Sequence, residues 1–426
     1  MKRFFQIVWI IFILTSLNFS AAEAKPRKQA PKQEVIHLDI EKTEEAKSGR
    51  FSSLKEKETE EELKNDALND NIDKEFSIFD NLVDTDKASE HPFKIEEESL
   101  FGRIYKKKLE RTSIPSYLLQ EELTFRYKKG PVDKVQFYGA YQGRFGSSFA
   151  GSDYDTTYEN GFAEIGVVGD FKDKNTDFKL QLNLRPISGE SYFRGMISDM
   201  YIMNTAIPHH KIIVGHSRDQ IGVEGGASSY TLPFAMRSQI ARNFGNVRAL
   251  GVRVVGDYSL VDYQLALNSS DRYFHEFFPG AEFTGWVKFK PLGKTDGKYG
   301  NLIIGTGLNA GRRHENYAVG GAYVGYSYKK FAANAEYAIA DGYNGRSFSS
   351  DKATGFYTTV SYRLTKRLHV LARFDQFDPN RDVSGDLRRE YTAGLNYFIK
   401  GQALRLILNY VFCDNQQTED SHRIIL

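Results

Sequence analysis

The stretch FKLQLNLR, residues 178–185, places Phe178, Leu180, Leu182 and Leu184 on one side of an extended chain and Lys179, Gln181, Asn183 and Arg185 on the other. The period returns downstream, where Val261, Tyr263, Leu265 and Leu267 alternate with Asp262, Gln264 and Asn268, and Leu404, Leu406, Leu408, Tyr410 and Phe412 with Arg405 and Asn409. Across such segments the polar face collects Lys179, Arg185, Arg253, Lys288, Lys290, Arg373 and Arg405. A face that charged cannot be packed into a protein core, because a buried unpaired charge is too costly. It can line water if the sheet closes into a wide barrel and turns its apolar face to lipid. A soluble sandwich or propeller would have to bury those cations. Tyr326, Tyr328, Tyr362, Tyr397, Tyr410 and Phe412 stand at the ends of the apolar faces, as in the girdles of a membrane interface.

The fold class that follows is all-β, a transmembrane antiparallel β-barrel. Strands are predicted near 133–143, 158–169, 176–187, 194–206, 210–217, 247–256, 259–269, 281–291, 300–310, 316–328, 331–341, 353–363, 366–376, 387–398, 403–413 and 422–426. That is an even set of 16, most of them about the ~9–11 residues that a tilted strand needs to cross a bilayer. Short turns such as YKK and RLTKR alternate with longer connections, beginning with a long one after the first strand. This is the asymmetry of an outer-membrane barrel whose N-terminus is periplasmic.

The first residues fit export. Lys2 and Arg3 precede an apolar run from Phe4 to about Leu17 and an Ala22-Glu23-Ala24 end, so 1–24 reads as a signal peptide. From Val35 to Glu110 the chain holds 21 Asp/Glu against 13 Lys/Arg with no sustained heptad, so 25–113 reads as a charged, partly disordered or helical periplasmic spacer before a barrel over 114–426. A short oligomerising helix around Glu58–Leu68 is the other reading of part of it. Cys413 is the only cysteine, which excludes an intrachain disulfide and a cysteine metal cluster.

The longest connection, about 218–246, opens on GHSRDQIGVEGG, where His216, Ser217 and Asp219 crowd together. Neighbours at a strand end splay apart and cannot converge as a catalytic triad, and no Gly-x-Ser-x-Gly elbow surrounds Ser217. No His-Glu-x-x-His occurs, GTGLNAG has the wrong glycine spacing for a dinucleotide, and GSDYD reads as a solvated acidic loop. No metal, cofactor or nucleic acid is implied. The same connection carries Arg218, Arg237, Arg242 and, at its end, Arg248, whose forked donors suit phosphate-like or carboxylate anions. Residues 111–426 balance as 38 basic against 32 acidic, which predicts a mild preference for anions in a low-dielectric channel.

The stretch KIIVGHSRDQIGVEGGASSYTLPFAMRSQI, 211–240, and the strand pair GVRVVGDYSLVDYQLALNSSD after it resemble the phosphate- and polyphosphate-selective porins of Gram-negative outer membranes. The resemblance implies a trimeric barrel whose third loop constricts the pore, with arginines and lysines guiding small anions, and Arg237 matches a Met-Arg-Ser position of the family. The dense arginine ladder of its phosphate-specific members is not visible. The expected function is therefore an outer-membrane porin, seated in lipid, for passive diffusion of small and preferentially anionic solutes, and not an enzyme. A barrel with a hydrolase or adhesin role is the alternative. SHRIIL makes only about half a last strand, so either the strand is truncated or residues 116–128 complete the seam.

Overall fold

A computed structural model describes residues 96–99, 102–104, 119, 121–185, 195–245, 247–271, 278–295, 297–345, 347–348, 351–400 and 403–426, all within a compact unit spanning Glu58–Leu426. The expected leader, the Glu58–Leu68 helix and nearly all of the spacer lie outside the described residues. Within the spacer's range, Glu96–Ser99 pairs antiparallel with Gly102–Ile104.

Seventeen strand segments build one closed antiparallel barrel. They are β1 Thr124–Arg126, β2 Val132–Ala150, β3 Asp153–Phe171, β4 Thr176–Asn183, β5 Ile197–Asn204, β6 His210–Arg218, β7 Arg248–Asp257, β8 Val261–Ser269 and β9 Ala281–Phe289. The rest are β10 Asn301–Arg313, β11 Glu315–Tyr328, β12 Phe331–Asp341, β13 Lys352–Arg363, β14 Leu368–Asp378, β15 Arg388–Lys400, β16 Leu404–Asn415 and β17 Ser421–Ile425. All sixteen predicted strands are present. β1 is the addition, and it settles the seam: β1 pairs with 134–136 of β2, while β17 pairs with 146–150 of the same strand. The two segments share one position beside β2, so seventeen segments make sixteen positions in the wall. No helix among the described residues is long and apolar enough to cross a membrane.

The first expected long loop is corrected by the structure. β2 and β3 are each 19 residues long and meet across Gly151 and Ser152 alone. Cross-strand aromatic pairs hold this extension together: the rings of Phe145 and Tyr158 lie 4.8 Å apart and those of Phe149 and Tyr154 4.9 Å apart. β17 supports the other edge of β2, with His422 opposite Phe149 and Ile425 opposite Gly146. GSDYD is therefore a tight turn and the start of a strand. Gly151 takes a positive φ of 56° there, which a glycine adopts at little cost.

The wall inverts the order of a soluble protein. Along β9, Glu282, Thr284, Trp286 and Lys288 are buried inside, while Phe283, Val287 and Phe289 are exposed outside. β16 does the same with exposed Leu404, Leu406, Leu408 and Tyr410. Exposed leucines on successive strands are stable only against lipid. Leu395→Arg on the outer face of β15 should therefore cost about 2–4 kcal/mol at mid-membrane depth. Urea titration of the barrel refolded in vesicles measures this, and a loss below about 0.5 kcal/mol would show that the face does not meet hydrocarbon.

Candidate functional site

After β6 the chain leaves the wall, and residues 219–247 enter the barrel as α1 Gly222–Gly226, a 3-10 turn at Ser229–Thr231 and α2 Gln239–Asn243. An apolar surface draws them in. Ile221, Val223, Ile240, Phe244 and Val247 join one buried cluster with Trp286, Ile303, Val319, Tyr357 and Phe377 of the wall. At about 25 cal/mol per Å2 of apolar area, burying these side chains favours the folded-in loop.

A loop taken inside brings backbone donors and acceptors that water no longer serves, and each must find a partner. The wall supplies them. The Val223 N–H donates to Glu336 at 3.0 Å, Gln239 N–H to Asp375 at 2.7 Å and Ala235 N–H to the Asn409 side chain at 2.8 Å. In return Asn396 donates to the Pro233 carbonyl at 2.9 Å, Arg405 to that of Leu232 at 2.7 Å and Arg373 to that of Met236 at 3.1 Å. Inside the loop, Ser238 caps α2 and Glu224 accepts the Ser238 N–H at 2.5 Å. Gly222 holds a φ of 65° hard against the Glu336 carboxylate, where a Cβ would collide with Oε1.

The predicted basic residues separate into three groups. Arg237, Arg242, Arg373 and Arg405 fasten the loop. Arg237 donates to the carbonyls of Glu224 and Ala227 and to Ser229, and the Arg373 guanidinium also stacks 4.5 Å from the Phe234 ring. Burial pulls the Arg237 guanidinium down to about 10, against the pull of Glu224, so it stays cationic at neutral pH. Arg253, Lys288 and Lys290 are held in the wall. Arg253 bonds to Ser217, the Arg218 carbonyl and Asp219, while Lys288 and Lys290 reach Asp262 at 2.8 and 2.6 Å. Arg242 ties α2 to Glu390 at 2.5 Å, and Glu390 accepts Arg423 of β17 at 2.7 Å.

Lys179, Arg185, Arg218 and Arg248 form the third group, on the side of the lumen opposite the apolar cluster. The Asp199 carboxylate bridges Lys179 Nζ at 2.6 Å and Arg248 Nε at 2.8 Å. Arg218 lies within electrostatic range of Arg248, Arg237, Asp199 and Glu164. Glu159 is shared by Arg144 at 3.1 Å and Arg185 at 3.2 Å, and Arg185 and Glu159 are 41% and 47% exposed. Arg144 also reaches the Ala235 carbonyl at 3.4 Å, so the loop spans the lumen from β6 to β2. Counting Lys179, Arg144, Arg185, Arg218, Arg237 and Arg248 against Asp199, Glu159, Glu164 and Glu224 leaves cations in excess.

Arg144, Glu159 and Asp199 escape the sequence reading. Arg144 falls where a loop is expected, Glu159 at the start of the predicted strand 158–169, and Asp199 within the predicted strand 194–206, among the apolar residues of MISDMYIM. Strand parity was the available signal, since Gln142 and Arg144 continue the inward positions of Gln136 and Tyr138. His216, Ser217 and Asp219 do not bond to one another: His216 meets the Ser198 carbonyl at 2.9 Å, while Ser217 and Asp219 share Arg253, Ser217 accepting from it at 2.8 Å, and Asp219 also accepts from Asn268.

Residues 287–423 match the family described as phosphate-selective porin O and P. The stretch that resembles this family, 211–240, lies outside the match, so two separate parts of the chain point the same way. No curated protein matches the chain. Among solved structures the barrel is similar to OprB of Pseudomonas putida, at 11% identity and a TM-score of 0.52 over 68% of this chain and 92% of that one. It is also similar to OmpF of Salmonella typhi, solved with daunomycin, at 14% identity and a TM-score of 0.51 over 70% and 98%. At such identities the likeness concerns the fold. Family match and fold are those of an outer-membrane channel.

Two substitutions test how the loop is held. Gly222→Ala should loosen it at a cost of about 1–3 kcal/mol, seen as faster proteolysis within 219–247 and a larger single-channel conductance. No change in either reading would show that Glu336 does not pin it. Arg373→Met leaves the Glu224 and Asp375 carboxylates without their cation and should cost about 3–5 kcal/mol, measured by urea unfolding of the refolded barrel.

Proposed function

We propose that this porin-type barrel is a passive outer-membrane channel for small solutes that prefers anions, phosphate among them. One observation carries the reading: the inserted loop covers an apolar side of the lumen, and on the other side Arg144, Lys179, Arg185, Arg218, Arg237 and Arg248 gather around the four carboxylates of Glu159, Glu164, Asp199 and Glu224. An anion passing there meets Arg185 and Arg248 at low dielectric, where a unit of net charge acts far more strongly than in bulk water. No turnover is involved. The charges attract, and the loop sets the width.

The preference is mild because most of these cations already hold a carboxylate. Asp199 neutralises part of two of them and Glu159 part of two more. A field built from a small excess of charge biases passage without retaining the solute, as conduction requires. The leader over 1–24 and the periplasmic segment over 25–113, on the strength of their residues, and a homotrimeric assembly, on the strength of the family resemblance, belong to the same proposal.

Planar bilayers with a salt gradient test the proposal. The expected reversal potential has the sign of an anion-preferring pore and falls toward zero as ionic strength rises, since the Debye length shrinks from about 10 Å at 0.1 M to about 3 Å at 1 M. A potential of cation sign would end the anion reading, and the lack of any channel would favour an adhesin or structural barrel. Asp199→Asn should raise the anion-to-cation permeability ratio roughly twofold by freeing part of Lys179 and Arg248. An unchanged ratio would remove this cluster from the conduction path.

A further inference from the structure

The two rims of the barrel carry opposite charge. The eight connections on the β1–β2 side, at 127–131, 172–175, 205–209, 258–260, 290–300, 329–330, 364–367 and 401–403, hold 11 Lys or Arg against 2 Asp. The eight on the other side, the inserted loop included, hold 7 Lys or Arg against 10 Asp or Glu. The basic residues are not gathered into one patch. They occupy five of the eight connections and so follow the circumference, as headgroups of a surrounding leaflet do and as a compact protein partner does not.

Their placement also points outward. Lys128, Lys172, Lys174, Lys298, Lys329 and Lys330 are exposed, and none of them forms an ion pair among the described residues. Lys329 Nζ stands 5.0 Å from the centre of the Tyr328 ring, which is exposed on the lipid side at the end of β11. Lys298 Nζ stands 5.3 Å from the ring of Tyr299, itself 57% exposed. An amphipathic ring beside an ammonium group is the pairing that settles at headgroup depth, with the ring among the first methylenes and the cation among the phosphates. Asp173, a carboxylate of this rim, is occupied by the N–H groups of Asn175 at 3.1 Å and Thr176 at 2.9 Å.

We propose that the short-turn rim is a docking surface for the phosphate groups of anionic phospholipids in the leaflet that surrounds it. The lysines hold these lipids as an annulus, and the acidic character of the opposite rim gives the barrel a preferred orientation across an asymmetric bilayer. The surface is separate from the lumen cations and does not depend on what the channel conducts.

Lipid retention tests the proposal. The full chain is refolded in vesicles of phosphatidylcholine and phosphatidylglycerol in equal parts, extracted in mild detergent, and its retained lipid quantified by mass spectrometry. Phosphatidylglycerol is expected in about fivefold excess, the ratio that one lysine near an anionic surface produces. Lys172→Gln, Lys298→Gln, Lys329→Gln and Lys330→Gln together should bring the ratio close to one, with the barrel verified by heat-dependent gel mobility. If the fourfold variant does not fold, Lys329→Gln with Lys330→Gln should lower the ratio partway. Equal retention of both lipids by the unaltered protein, or an unaltered preference in a folded variant, overturns the proposal. So does loss of the retained lipid on adding millimolar inorganic phosphate at constant ionic strength, because the rim would then be a site for the free ion.

Discussion

Everything inside this barrel depends on satisfying the backbone of a segment that has left water. Residues 219–247 bring peptide groups into the lumen with only two short helices to pair them. Each unpaired group would cost more than a hydrogen bond returns on average, so the loop stays inside only because the wall is chemically complementary to it. Glu336, Asp375 and Asn409 accept its N–H groups, and Asn396, Arg405 and Arg373 donate to its carbonyls. These residues lie on β12 and β14–β16, which fixes where the loop comes to rest. The apolar cluster around Phe244 and Tyr357 supplies the attraction, and the polar pairs supply the position.

Once the loop is bound to that side, the lumen becomes asymmetric. Trp286, Ile303 and Val319 face inward, where a water-filled channel would leave apolar area exposed, and the loop covers them. The strands without such a cover keep polar inward side chains, Gln136, Lys179, Gln181 and Asp199 among them. Apolar and charged parts of the inner wall thus have different tasks, one anchoring the constriction and the other bordering the path.

How much of this was legible in the sequence follows from which forces act locally. Alternation along FKLQLNLR or LRLILNYVF is set by two-residue strand geometry and by a lipid phase that tolerates no lapse, so all sixteen predicted strands are found. The hairpin of β2 and β3 was hidden because its upper half is stabilised by pairs such as Phe149–Tyr154 and by β17 from the far end of the chain, and neither leaves a local period. The seam was half visible: LTFRYK looks strand-like, yet three of its residues pair only because the 134–136 edge of β2 is vacant beside them. Partners of the loop were illegible for the same reason. Glu336 and Val223 stand more than a hundred residues apart, and nothing near either announces the other.

The arginines show why residue type alone misassigns a role. Read from composition, Arg218, Arg237, Arg242 and Arg248 form one set of forked donors along one loop. In the barrel, Arg237 spends its donors on Glu224, Ala227 and Ser229, and Arg242 on Glu390. Arg218 and Arg248 converge instead on the lumen around Asp199, together with Lys179 from a strand far earlier in the chain. A guanidinium that holds carbonyls of its own loop adds charge to the field but has fewer donors left for a solute. One that shares a single carboxylate with a neighbouring cation retains both. The distinction lies in how many acceptors the surrounding wall presents to each arginine, a property of strand register rather than of the loop that carries it.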